Sequence, residues 1–203
     1  MGWLQKKMHI KVAHIEAGLR SYNMKMPEEI NRILTDRISD ILLCPTEVAI
    51  KNLQQEGFDS MPIKIVNSGD IMKDAVEYYS QFSQEKSTII KDLDLKSNEF
   101  GLATIHRQEN TDDLANLKSI FSGLEEIGKT KTVILPLHPR TKAILEKNKL
   151  QFNIQIIDPD GYYDMLELLK NCNLVVTDSG GLQKEAFFNK KHCVFLVAKM
   201  RRF

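Results

Sequence analysis

Apolar runs a few residues long alternate along this chain with longer segments whose apolar positions recur three or four apart. The first pattern marks buried strands and the second amphipathic helices. His9–Ile15 predicts a strand. Pro27 opens a predicted helix through Asp40, with Ile30, Ile33, Leu34 and Ile38 in helical register. Proline is tolerated in a first turn, and Glu28 and Glu29 suit its positive end. A strand over Ile41–Cys44 follows, then a helix capped by Thr46 that runs to Glu56 and is ended by Gly57. Ile63–Asn67 predicts a strand and Asp70 to about Phe82 a helix. Ser83–Glu99 is polar and reads as a connector with room for one helical turn.

The alternation then sharpens. Phe100–Ile105, Thr132–Leu137, Ile154–Asp158, Leu174–Thr177 and Cys193–Val197 read as strands. Between them, helical patterns run from Thr111-Asp112-Asp113 to Gly128, over Thr141–Lys149, over Tyr163–Asn171 and from about Gly181 to Phe188. Strands separated by helices of this size imply parallel sheets and an α/β fold. The break falls near 66–70. Residues 1–67 hold too few strands to close a domain comfortably, whereas 68–203 make a doubly wound unit of about five strands.

The chain has 203 residues, 42% hydrophobic and 27% charged, which excludes a disordered segment and a disulfide scaffold. Lys plus Arg is 28 against 27 for Asp plus Glu, a net charge of +1, and no basic stripe suggests nucleic acid. No apolar run approaches the roughly 20 residues of a membrane helix. Cys44, Cys172 and Cys193 make no CxxC pair, and the start lacks a signal core, so a reducing cytoplasm is expected. The five histidines show no metal-ligand spacing.

Polar clusters fall where strands end. Thr177-Asp178-Ser179-Gly180-Gly181 follows a strand and opens a helix, where glycines and helix-start N–H groups can receive a phosphate. Glu185 lies one turn on and can accept sugar hydroxyls. A tight turn without ligand is the competing reading. His106-Arg107-Gln108-Glu109-Asn110 offers an acid or base and a guanidinium fork, with Asn110 expected to start the next helix. His138-Pro139-Arg140 is a third such cluster, and together they describe a crest for an anionic ligand. Glu16 ends the first strand. Glu28 and Arg32, four apart, share a helix face, either as a surface ion pair or as part of a proton-moving cluster.

Seven stretches carry a family likeness: HIEAGLRS (14–21), MPEEINRILTDRISD (26–40), CPTE (44–47), GDIMKDAV (69–76), HRQEN (106–110), PLHPRTK (136–142) and TDSGGLQKEAF (177–187). In this order they resemble the non-hydrolysing UDP-N-acetylglucosamine 2-epimerases. The resemblance implies a GT-B-like fold of two Rossmann-like domains facing across a cleft. It implies inversion at C2 of a UDP-sugar by anti elimination of UDP and re-addition, for cell-surface polysaccharide precursors. No cofactor or metal is implied, and a homodimer is implied at full length. Glu16, Glu28 and His106 match positions implicated in the chemistry, with Arg32 supporting. Ser179, Gly180 and Gly181 match the diphosphate turn and Glu185 the ribose carboxylate, with Arg107 and His138 as further UDP contacts. The wording of the 26–40 and 177–187 stretches also resembles the branch acting on UDP-diacetamido-uronic acids.

The family carries a phosphate-contacting strand–turn–helix and a catalytic Asp before HIEAGLR, and an Arg-rich loop with closing helices after the last strand. Neither is read here, and Met1–Lys7 reads as the tail of a helix. The expectation is a chain truncated at both ends, its first domain only partly present, with little or no epimerase activity alone. A non-catalytic UDP-sugar-binding remnant is the alternative.

Overall fold

The computed structural model describes residues 2–137, 139–148, 150, 152–158 and 161–196. The chain divides into two compact units, 1–74 and 75–203.

The first unit runs α1 (Gly2–Lys7), β1 (Ala13–Ile15), α2 (Pro27–Ile38), β2 (Ile41–Cys44), α3 (Glu47–Gln55), a 3-10 turn (Phe58–Ser60) and β3 (Lys64–Asn67). Its three strands are parallel in the order β1-β2-β3. Leu42 and Cys44 from β2 pack with Ala49 and Leu53 of α3, Phe58 and Ala17. Thr46 caps α3 as the sequence predicts, accepting the Ala49 N–H at 3.2 Å. The first strand is shorter than expected because His9 takes a left-handed φ of 59° and ordered pairing begins only at Ala13. The second helix stops at Ile38, short of Asp40. The Asp40 carboxylate instead accepts the Val12 N–H at 2.9 Å, and its own N–H reaches Val12 O at 2.8 Å.

α4 (Ile71–Lys86) runs from the first unit into the second. It continues past the expected end at Phe82, and α5 (Ile89–Asp92) follows. The polar Ser83 is buried there, donating to Glu167 Oε1 at 2.5 Å, while Lys170 Nζ sits 2.7 Å from the same oxygen. This buried network turns a stretch that looks like connector into a packed helix.

The remaining elements are β4 (Phe100–Thr104), α6 (Gln108–Thr111), α7 (Leu114–Gly128), β5 (Thr132–Pro136), α8 (Pro139–Lys147), β6 (Gln155–Ile157), α9 (Tyr162–Asn171), β7 (Leu174–Thr177), α10 (Gly180–Phe188) and β8 (His192–Phe195). All five strands are parallel, in the order β6-β5-β4-β7-β8. Alternate residues of β4 point to opposite faces. Phe100 and Leu102 pack with Leu168, Leu169, Leu182 and Ala186 of α9 and α10. Ala103 packs on the other side with Leu117, Phe121 and Leu124 of α7 and Leu145 of α8. The sheet is therefore doubly wound, and its strand order reverses between β4 and β7. Asp113 starts α7, accepting N–H bonds from Ala115 at 2.8 Å and Asn116 at 3.2 Å. The expected ends at Lys149 and Val197 lie outside the described residues.

Candidate functional site

In an open α/β sheet the crevice for ligands lies beyond the carboxyl ends of the strands where the order reverses. Here those strands are β4 and β7. Their last residues, Thr104 and Thr177, are register partners whose buried hydroxyls lie 2.7 Å apart. Thr177 Oγ1 also accepts the Ser179 N–H at 2.9 Å.

The next residue, Asp178, is fully buried. Its carboxylate accepts the His106 N–H at 3.0 and 3.1 Å, the Arg107 N–H at 3.0 Å and the Asn110 amide at 2.8 Å. The two clusters singled out separately in the sequence are thus joined through one side chain. Asn110 does not start the next helix as expected. It is 1% exposed and spends its amide on Asp178.

Ser179 caps α10, accepting the Leu182 N–H at 3.4 Å, and Gly180 and Gly181 form its first turn. Gly180 is exposed, its φ is not left-handed, and a Cβ there would meet nothing within 4 Å. The chain's own conformation does not require glycine at this position. Glu185 stands a turn further along, half-buried. Burial pushes its pKa up, opposed by the Tyr162 hydroxyl, which donates to it at 3.5 Å. Burial and the Glu185 charge push the Tyr162 phenol up to about 12. His106 is exposed. The Arg107 guanidinium lies 5.5 Å from the centre of the Phe195 ring, within cation–π range. His138 lies outside the described residues.

The first unit carries Glu16, Glu28 and Arg32. Glu16 is half-buried and takes a left-handed φ of 65°, a conformation that costs about 1–3 kcal/mol for a non-glycine residue. The loop after it is held by two buried carboxylates of α2. Asp36 accepts from Gly18 N–H at 3.2 Å, lies 2.6 Å from His14 Nδ1 and pairs with Arg20 at 2.7 Å. Arg20 also grips Glu56 through two bonds of 2.6 and 2.9 Å. Burial lowers the Arg20 pKa, but the Glu56 and Asp36 contacts outweigh it and the net shift is upward. Glu29 accepts the Ser21 N–H at 2.9 and 3.0 Å and the Tyr22 N–H at 2.8 Å. Its neighbour Glu28 is exposed. The ion pair weighed for Glu28 and Arg32 is not the one formed: Arg32 reaches the buried Glu29 at 3.4 Å, one residue closer along the helix.

The sequence reading gave Asp178 and Asp36 no role of their own and took Glu29 only as a first-turn charge, whereas all three are buried acceptors. The available signal was placement: a carboxylate directly after a fully apolar strand, or on the inward side of an amphipathic helix, has little water to face. Among the described residues no group of three or more His, Cys, Asp or Glu converges to hold a metal ion, and no helix is long and apolar enough to cross a membrane.

Residues 4–203 match the family model described as UDP-N-acetylglucosamine 2-epimerase. The UDP-2,3-diacetamido-2,3-dideoxy-D-glucuronate 2-epimerase of Pseudomonas aeruginosa is 54% identical over 190 residues, which are 93% of this chain and 52% of that protein. The Methanocaldococcus jannaschii UDP-GlcNAc 2-epimerase, solved with UDP-GlcNAc and UDP, is 41% identical with a TM-score of 0.82, over 96% of this chain and 56% of that one. The Neisseria meningitidis enzyme bound to UDP-GlcNAc is 28% identical, also at 0.82, over 98% and 56%. The chain thus spans about half the length of the relatives it matches. The GT-B-like α/β class expected from the motifs is the class these neighbours represent.

Proposed function

The chain belongs to the UDP-N-acetylglucosamine 2-epimerase family, and from that membership we propose that it carries the nucleotide site and part of the catalytic machinery of a UDP-sugar 2-epimerase. The observation that carries this reading is Gly180. Glycine has a lower helix propensity than any residue but proline, and it is retained where some feature of the site calls for it. Here neither φ nor crowding demands it. A bare backbone N–H beside open space is useful to a phosphate that must come close.

In this reading the diphosphate sits on the Gly180 and Gly181 N–H groups at the positive end of α10, with His106, Arg107 and His138 as side-chain contacts. Ser179 holds the turn, and Glu185 accepts the ribose hydroxyls. Glu16 and Glu28 belong to the proton-transfer machinery, with Arg32 in support. In the reaction a base removes the proton on C2 while the C1–O bond breaks and UDP leaves with the electron pair. Re-addition of UDP at C1, with protonation of C2 on the opposite face, yields the epimer. A weakly acidic C–H needs a positioned base, and a leaving diphosphate needs donors already aimed at it. No cofactor enters this scheme. The homodimer and the cytoplasmic setting belong to the same proposal.

UDP-N-acetylglucosamine is the substrate proposed first. The 54% identical relative named for UDP-2,3-diacetamido-2,3-dideoxy-D-glucuronate supports that sugar as the second. Calorimetry with UDP, paired with an NMR turnover assay on each UDP-sugar, tests the reading. UDP binding is expected. Its absence would sink the nucleotide site, and binding without turnover would leave the chain a UDP-sugar binder.

A further inference from the structure

We propose that Asp178 is a positioning residue that locks the two loops of the crest into one anion-binding unit, without itself touching the ligand. The inference rests on the UDP reading above and goes beyond it by assigning a role to a residue outside the ligand contacts.

Most backbone donors of the crest end on acceptors within the chain. On the β7 side, the Ser179 N–H is taken by Thr177 Oγ1 and the Leu182 N–H by Ser179 Oγ. The Gln183 N–H bonds Ser179 O at 3.0 Å. Gly180 and Gly181 remain as the first amides of α10, which have no acceptor inside their own helix. On the β4 side, the His106 and Arg107 N–H groups both end on Asp178. The His106 and Arg107 amides are therefore not on offer to a ligand, while the β7 turn offers those of Gly180 and Gly181. Asp178 sets the spacing between the two sets of donors. Asn110, on the same carboxylate, extends the tie to α6.

The charge of Asp178 matters to this arrangement. A carboxylate one residue before a phosphate turn repels a diphosphate if it is exposed. This one is fully buried, with three separate N–H groups converging on it. Bonds to an ionised acceptor are shorter and roughly twice as strong as neutral ones. Oδ2 carries three of the four contacts, from His106, Arg107 and Asn110. Oδ1 takes the remaining His106 contact at 3.0 Å.

Asp178→Asn keeps the shape and one oxygen but removes the charge. It also turns an NH2 group toward the His106 N–H, donor against donor. A lock that serves only stability would lower the affinity for every ligand of the crest together. A lock that sets donor spacing has a selective signature: the diphosphate loses its contacts, while uridine, held through Glu185 on α10, does not.

The test measures UDP, UMP and uridine binding to the full chain by calorimetry and ligand-observed NMR, alongside circular dichroism melts. For folded Asp178→Asn we expect UDP to weaken at least about tenfold and uridine to stay within about twofold. For Asn110→Ala, which removes one donor and leaves the carboxylate, the UDP loss should be smaller, about two- to fivefold, with uridine again unchanged. Equal loss of UDP and uridine, or unchanged UDP binding, overturns the inference. If Asp178→Asn does not fold, an unchanged UDP-to-uridine ratio in Asn110→Ala overturns it. Failure of the unsubstituted chain to bind UDP is a separate result, and it removes the nucleotide reading itself.

Discussion

Replacing Gly180 by alanine is expected to make the chain more stable and a poorer binder of UDP. At a position whose backbone suits any residue, glycine to alanine stabilises by about 0.4–1 kcal/mol, because the unfolded chain has less freedom to lose. Gly180 meets that condition, with no left-handed φ and no heavy atom within 4 Å of an added Cβ. For a chain of this size the gain corresponds to a melting temperature higher by about 1–4 °C. The new methyl fills the space over the helix-start N–H, and UDP affinity should fall about tenfold or more. Gly18 provides the opposite case. Its φ is +75°, and a Cβ would lie 2.4 Å from Ala49 O. The left-handed backbone costs a non-glycine residue about 1–2 kcal/mol. Displacing the neighbouring backbone adds about 1–3 kcal/mol, so Gly18→Ala should melt lower by about 4–20 °C. Circular dichroism melts with and without UDP, together with calorimetry, read both variants. A lower melting temperature for Gly180→Ala would show that the fold itself needs the glycine. Unchanged UDP affinity would remove the ligand as its reason.

The adjacent carboxylates of α2 should separate cleanly. Glu29→Gln exchanges an acceptor oxygen for a donor opposite the Ser21 or Tyr22 N–H, and should cost about 1–3 kcal/mol in chemical denaturation. Glu28→Gln, on the exposed side, should stay within about 0.5 kcal/mol; equal effects would contradict the assignment. Burial raises the Glu29 pKa, but the bonds from Ser21, Tyr22 and Arg32 outweigh it, so its folded value is depressed. Its contribution is then complete above the unfolded carboxyl pKa of about 4.3 and is lost as pH falls toward the folded value. Glu29→Gln should accordingly flatten the acid limb of stability against pH, and an unaltered limb would refute the sign. Tyr162→Phe removes the bond that opposes the upward shift at Glu185. UDP binding should then fail at a higher pH on the acid side, and a Kd–pH profile that does not move would exclude Tyr162 from that role.

Most of the architecture was legible because burial writes itself into periodicity. The run FGLATI reads as a strand buried on both faces, and Phe100 through Thr104 are buried throughout. The positions of the polar clusters were legible for the same reason, since a motif directly after such a strand must lie at its carboxyl end. The division of labour inside each cluster was not. Glu28 and Glu29 are neighbours in sequence, about 100° apart on a helix. Which of them is consumed depends on a loop whose N–H groups must be satisfied, and that loop's course is not a periodic feature. Asn110 looks like a cap because capping residues and buried amides share the same composition. Ser83 looks like linker because its partners, Glu167 and Lys170, stand more than 80 positions away in the chain. In each case the deciding quantity is where a backbone or side-chain donor ends. Asp36, Glu29 and Asp178 are spent on loops, while Glu28 and His106 lie exposed beside them. Motif matching alone cannot divide polar residues this way, because both groups fall in the same stretches. The destination of each donor does divide them, and it gives Glu28, Glu29 and Tyr162 different, testable roles.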